Sequence, residues 1–129
     1  MDTEILITLL RTEIEKSGYK CYSPDLPHND EMCSAISLRQ GINQRAIPKH
    51  ILYSEIPFYV LVRGTTNDKE TRRLVDSIFN LLDMKENVSL GNITATLITC
   101  YTPNYAFRDE NQRIHYNINC FVRVERNEE

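Results

Sequence analysis

The chain is expected to fold as an α+β domain with the element order α-β-β-β-α-β-β. Three observations carry that expectation. Apolar residues recur at helical spacing near the start of the chain and again over residues 74–82. Residues 114–124 alternate between apolar and polar with a period of two, the mark of a strand with one face on the core. Most of the segments between are rich in turn residues, which favours hairpins. Two helices and about five strands joined in this way imply an antiparallel sheet with both helices packed on one face.

Each element has its own justification. Ile5, Leu6, Leu9, Leu10 and Ile14 form the stripe of the first helix, with Asp2 or Thr3 able to cap its start and Gly18 placed just past its end. "YKCY" (19–22) reads as a short strand, stopped by "SPDLPHNDE", and "MCSAISL" (32–38) as the returning strand of a hairpin. "RQGINQRAIPKH" (39–50) shows neither period, so a long, flexible loop is expected there. "IPFYVLVRG" (56–64) is the most apolar strand. Phe58, Val60 and Val62 point one way and Tyr59 and Leu61 the other, so a helix is expected on one side and another subunit on the other.

After Gly64, Asn67 is placed as N-cap, with Glu70 reaching back in a capping box. Asp68 and Glu70 suit the positive end of the helix dipole. Leu74, Val75, Ile78, Phe79 and Leu82 form the buried stripe. Strand, glycine and helix start could cradle a phosphate, but this corner has one glycine and two repelling carboxylates. It reads as a capped corner. A polar connection (83–92) leads to the threonine-rich strand "ITATLITCY", and "TPNYAFRDENQR" (102–113) reads as a turn before the last strand. Phe121 is an aromatic on that strand's polar face and hence a contact candidate, and the acidic residues 125–129 are expected to fray.

Composition narrows the function. At 129 residues the chain is expected to be one domain, residues 1–129, with a net charge of −3. No stretch approaches the roughly 20 apolar residues that span a bilayer. An acidic N-terminus is the reverse of a signal peptide, which points to the cytoplasm and to no membrane partner. Cys21, Cys33, Cys100 and Cys120 lack the close pairing of zinc ligands and read as buried free thiols. The sequons at Asn87 and Asn92 read as chance matches. His28, His50 and His115 read as surface histidines, and His115 and Cys120, five apart on one strand, face opposite sides of the sheet. Asp25, Asp30 and Glu31, like Asp109 and Glu110, read as solvated loop acids. No nucleophile elbow, zinc helix or calcium loop is present. The expectation is therefore a protein that is not an enzyme and holds no cofactor or metal.

Three features point instead to protein contacts. The 39–50 loop carries Arg39, Gln44, Arg45, Lys49 and His50, a basic segment on an otherwise acidic chain. The 103–112 loop carries Tyr105, Phe107 and Arg108, residue types enriched in interfaces. Strand 57–62 is apolar on both faces.

"DLPHNDEMCSAISLRQG" (25–41), "FYVLVRG" (58–64), "VDSIFNLLD" (75–83) and "RIHYNINCFV" (113–122) occur in an order and spacing that resemble a known family. It is the family of small minor capsid, or tail terminator and tail completion, proteins of long-tailed bacteriophages. The loop after Arg39 departs from the family pattern in having one glycine, Gly41, and Tyr59 stands where a polar residue is common. The resemblance implies a ferredoxin-like variant of the α+β sheet. It also implies a ring of six copies that caps the tail tube, stops its elongation and docks the head connector. The implied partners are copies of the chain itself, the tail tube protein and the head-closure or connector protein, with genome DNA only passing through the lumen. The implied location is the tail-to-head junction of the virion, with host cytoplasm during assembly. A head-closure ring is the nearest alternative. A ferredoxin-like small-molecule regulatory domain is a more distant one, because no glycine-rich ligand loop is present. If Arg39, Arg45 and Lys49 contact a neighbouring subunit or the tube, reversing their charges should abolish head-to-tail joining in an assembly assay while leaving the domain folded; unchanged infectious yield counts against it.

Overall fold

A computed structural model describes residues 2–38 and 53–126. The elements are α1 (Asp2–Glu15), β1 (Lys20–Tyr22), β2 (Cys33–Leu38), β3 (Tyr53–Arg63), α2 (Asp68–Leu82), β4 (Lys85–Leu90), β5 (Ile93–Cys100), β6 (Asn104–Arg108) and β7 (Ile114–Arg126). The seven strands form one sheet in the order β1-β2-β3-β7-β5-β4, with β6 paired to β7.

This corrects the expected fold class. The sheet is mixed, because β1 runs parallel to β2 where a hairpin was expected. It has seven strands where about five were expected, and it curls into a half-barrel, so the antiparallel, ferredoxin-like sheet with two helices on one face is wrong. Two strands come from segments expected to be connections. β4 occupies most of the polar stretch 83–92 and pairs with β5 across a two-residue turn, in which Gly91 adopts φ 62. β6 occupies the expected turn before the last strand. The tail expected to fray from residue 125 still pairs at Glu125 and Arg126, opposite Thr94 and Ile93. The expected long loop 39–50 lies outside the described residues.

β7 is the centre of the sheet. One edge pairs with β3 from Tyr53↔Glu125 to Arg63↔His115. The other edge is shared, with β5 along its C-terminal half and β6 along its N-terminal half. The register slips once in each of these pairings, at Thr96 and at Ala106. Such bulges sharpen the local twist, and they sit where the sheet must curl. The alternation in β7 has the expected sense: Ile118, Cys120, Val122 and Val124 are buried, and they share one core with Phe58, Val60 and Val62. Leu6, Leu9, Leu10 and Ile14 of α1 and Leu74, Val75, Ile78 and Leu82 of α2 complete that core.

The corner at Gly64 is structural. Asn67 caps α2, its side chain accepting the Glu70 amide at 3.0 Å. The reciprocal half of the box is replaced by Thr65, whose Oγ1 accepts the Asn67 amide and donates to the Glu70 carboxylate, each at 3.1 Å. Buried Thr71 donates its hydroxyl to the Asn67 carbonyl at 2.9 Å and accepts the Thr65 amide at 3.1 Å. A Cβ on residue 64 would lie 2.1 Å from Thr71 Oγ1 and 2.5 Å from its Cβ, so only glycine lets strand and helix approach this closely. Gly64→Ala should therefore destabilise the fold by about 1–3 kcal/mol through overpacking, read as a lower urea midpoint at an unchanged slope.

Candidate docking surface

β6 and the start of β7 form a hairpin arm closed by the turn 109–113. Every residue of β6 is exposed, and only one of its edges is paired among the described residues. The turn is organised by Asp109. Its Oδ1 accepts the Asn111 and Arg113 amides, both at 2.9 Å, and its Oδ2 accepts Arg113 Nε at 2.8 Å. Gln112 takes the left-handed backbone, φ 64, that the turn requires. Burial pulls the Asp109 carboxyl upward, but the Arg113 and Asn111 donors outweigh it and leave its pKa below the ordinary carboxylate value.

Beneath the arm lies a polar cluster that the sequence did not announce. Arg63, Arg113 and His115 are all buried, with exposures of 8%, 6% and 1%. Arg63 Nε donates to His115 Nε2 at 3.0 Å, so that nitrogen is unprotonated and His115 Nδ1–H donates to the Arg113 carbonyl at 3.1 Å. The guanidinium groups then reach the 23–32 loop. Arg63 donates to the Pro27 and Asp30 carbonyls, and Arg113 to the Asp30 and His28 carbonyls. The Asp30 side chain faces the other way, accepting from Lys20 Nζ and from the Tyr22 hydroxyl on β1. The Lys20 bond, then the Tyr22 bond, hold its pKa down. Asp30 is thus an anchored residue, not a solvated acid, and His115 is buried, not superficial. Asp109 is likewise committed to the turn.

The cluster stiffens the surface above it. Phe107 stacks on His115 with ring centroids 4.1 Å apart and planes 11° from parallel. Tyr105 meets Tyr116 edge-on at 6.0 Å. The Tyr116 hydroxyl accepts Arg72 Nε at 2.9 Å and donates to Asp68 at 2.8 Å, which ties the arm to the first turn of α2. Where β5 gives way to β6, Tyr101 stands edge-on to Phe121 at 5.8 Å. Tyr101, Tyr105 and Phe107 remain 54%, 54% and 44% exposed, and they are three of the five exposed large apolar side chains among the described residues.

The predicted contact residues divide accordingly. Tyr105, Phe107 and Arg108 all lie exposed on the arm, Tyr105 and Arg108 in register with Tyr116 and Ile114 on one face and Phe107 with His115 on the other, and Arg108 Nη1 donates to the Gln112 carbonyl at 3.0 Å. Phe121 is half-buried under Tyr101. Arg39, Gln44, Arg45, Lys49 and His50 lie outside the described residues. Tyr59 and Leu61 are half-buried on the face away from the core, in register with Asn119 and Asn117. Tyr101 was missed, although it follows the β-branched run directly. A groove of about 490 Å³ between α1 and β4 has a mixed lining in which the buried charge, Glu13, is already paired to Lys16 and Lys85. Among the described residues, no three His, Cys, Asp or Glu side chains gather as metal ligands, and no helix is long and apolar enough to cross a membrane.

The cluster should make stability depend on pH. Burial, reinforced by the Arg63 charge, lowers the His115 pKa below its ordinary 6.5. The unfolded chain then binds a proton that the folded chain refuses, so stability is full above about 6.5 and falls as pH drops toward the folded value. The melting temperature should decline from pH 7.5 to 5.5, and His115→Gln, which keeps an acceptor for Arg63 but cannot titrate, should flatten that decline. A wild-type curve flat over this range would remove His115 as the cause.

No family model matches the chain, and neither does any curated protein.

Proposed function

We propose that this chain is a structural virion-assembly protein, a tail terminator that caps a phage tail tube, stops its growth and presents a docking surface to the head connector. One observation supports the reading above the rest: the arm exposes an aromatic on each face, Phe107 stacked on His115 and Tyr105 set against Tyr116, with Tyr101 exposed beside its root, and hydrogen bonds to Arg63, Arg113 and Asp68 order the support beneath them. Exposed aromatics on a pre-ordered support suit protein docking, because little side-chain entropy remains to be lost on binding. A ring built from copies of the chain requires two different patches that meet, and the arm supplies one of them. The quoted sequence strings supply the choice of tail terminator within this class. The buried arginines and His115 hold backbone carbonyls, Asp109 holds backbone amides, and Glu13 and Asp30 are committed to lysine and tyrosine side chains, which favours an assembly role over catalysis.

The test is electron microscopy of the protein mixed with purified tail tubes. Rings seated on one tube end support the proposal, whereas rings on the capsid connector alone would make it a head-closure protein. The double variant Tyr105→Ala, Phe107→Ala should keep a cooperative melt yet lose at least about tenfold in tube-end binding, as expected for aromatic hot spots. Undiminished capping by that variant would exclude the arm as the docking patch.

A further inference from the structure

Cys100 closes β5, and Cys120 stands directly across from it on β7, with the two sulfur atoms 3.3 Å apart. The hydrogen bonds define the kind of cross-strand site this is. The Tyr101 amide donates to the Asn119 carbonyl at 2.8 Å, so the ladder bond belongs to the next pair along. The Cys100 amide points away from β7, to Asp83 Oδ1 at 2.9 Å. Cys100 and Cys120 are therefore a non-hydrogen-bonded pair, the type whose Cα atoms approach to about 4.5 Å with side chains closest. That separation lies inside the roughly 4.4–6.8 Å range that a disulfide spans. The other two thiols are placed differently. Cys21 is in register with Ser34 and Cys33 with Lys20, so neither cysteine faces another across the ladder.

We propose that Cys100 and Cys120 form an oxidisable pair, a site of covalent modification where hydrogen peroxide joins β5 to β7. Cys100 reacts first, because it is 8% exposed and Cys120 only 1%, and peroxide is small and uncharged. The Cys100 sulfur, having released its proton, attacks one peroxide oxygen. The O–O bond breaks, hydroxide leaves, and Cys100 becomes a sulfenic acid. The Cys120 sulfur then attacks the Cys100 sulfur, the S–O bond breaks, and the departing hydroxide carries off the Cys120 proton as water. In sum, two thiols and one peroxide give one disulfide and two waters. The bond closes a loop between residues 20 apart that contains the whole β6–β7 arm, so it secures the base of the docking surface.

The experiment exposes the full chain to hydrogen peroxide, alkylates the remaining thiols in denaturant, and maps the product by mass. The expected product is lighter by two hydrogens, joins the Cys100 and Cys120 peptides, and carries alkyl groups on Cys21 and Cys33. It should melt at least about 5 °C higher than the reduced chain, a gain reversed by dithiothreitol. Cys100→Ser and Cys120→Ser should each abolish the link; if either fails to fold, the wild-type map decides alone. Oxygen adducts without a link, a link through Cys21 or Cys33, or four unmodified thiols would each overturn the site. A linked product that melts no higher would overturn its securing role.

Discussion

Both edges of β7 are occupied along nearly its whole length, and that constraint organises the rest of the molecule. β3 takes one edge, while β5 and β6 divide the other. A strand paired on both sides must place every side chain either on the core or on the opposite face. The alternation of Ile114, Tyr116, Ile118, Cys120, Val122 and Val124 with polar residues meets that demand. A slip of one residue would carry six core side chains outward and bury Asn117 and Asn119 in their place. The division of one edge between two strands also creates the arm, because β6 leaves the line of β5 after Cys100 and has no neighbour beyond it among the described residues.

The second organising feature is electrostatic. Two buried arginines would be costly if unpaired, and the Asp109 carboxylate together with backbone carbonyls of the 23–32 loop offsets that cost. Removing one partner would strand a buried charge, so the 23–32 loop, the 109–113 turn and the end of β3 behave as one unit. His115 belongs to this unit only in its neutral form, because its Nε2 must accept from Arg63.

What could be read in the sequence follows from whether a residue's partners are near in the chain. The stripes of α1 and α2, the cap at Asn67 and the alternation of β7 are local patterns, and they appear where expected. β4 gave no period because Val88 alone packs against the core from an edge strand whose other residues are polar, apart from the exposed Leu90, although Gly91-Asn92 carried a hairpin signal. β6 is exposed at every position, so no alternation of burial was available to mark it. Its aromatics between Pro103 and Asp109 were the remaining clue. The direction of β1 was out of reach, since a three-residue strand holds no record of its orientation, and the contacts that fix the following loop come from Arg63 and Arg113. The same distance hid the role of His115: its environment is made by residues 52 positions earlier and two positions before it.

The hydroxyl of Tyr116 has a mechanical consequence. It fastens the root of the arm to Asp68 and Arg72 at the front of α2, while Asp83, just past the back of that helix, holds the Cys100 amide. α2 is thus riveted at both ends to neighbouring points of the same ladder and acts as a splint across the junction of β5 and β6. Bending the hairpin about that junction would strain these hydrogen bonds, so a load applied at the tip would be shared with α2 and the body of the sheet.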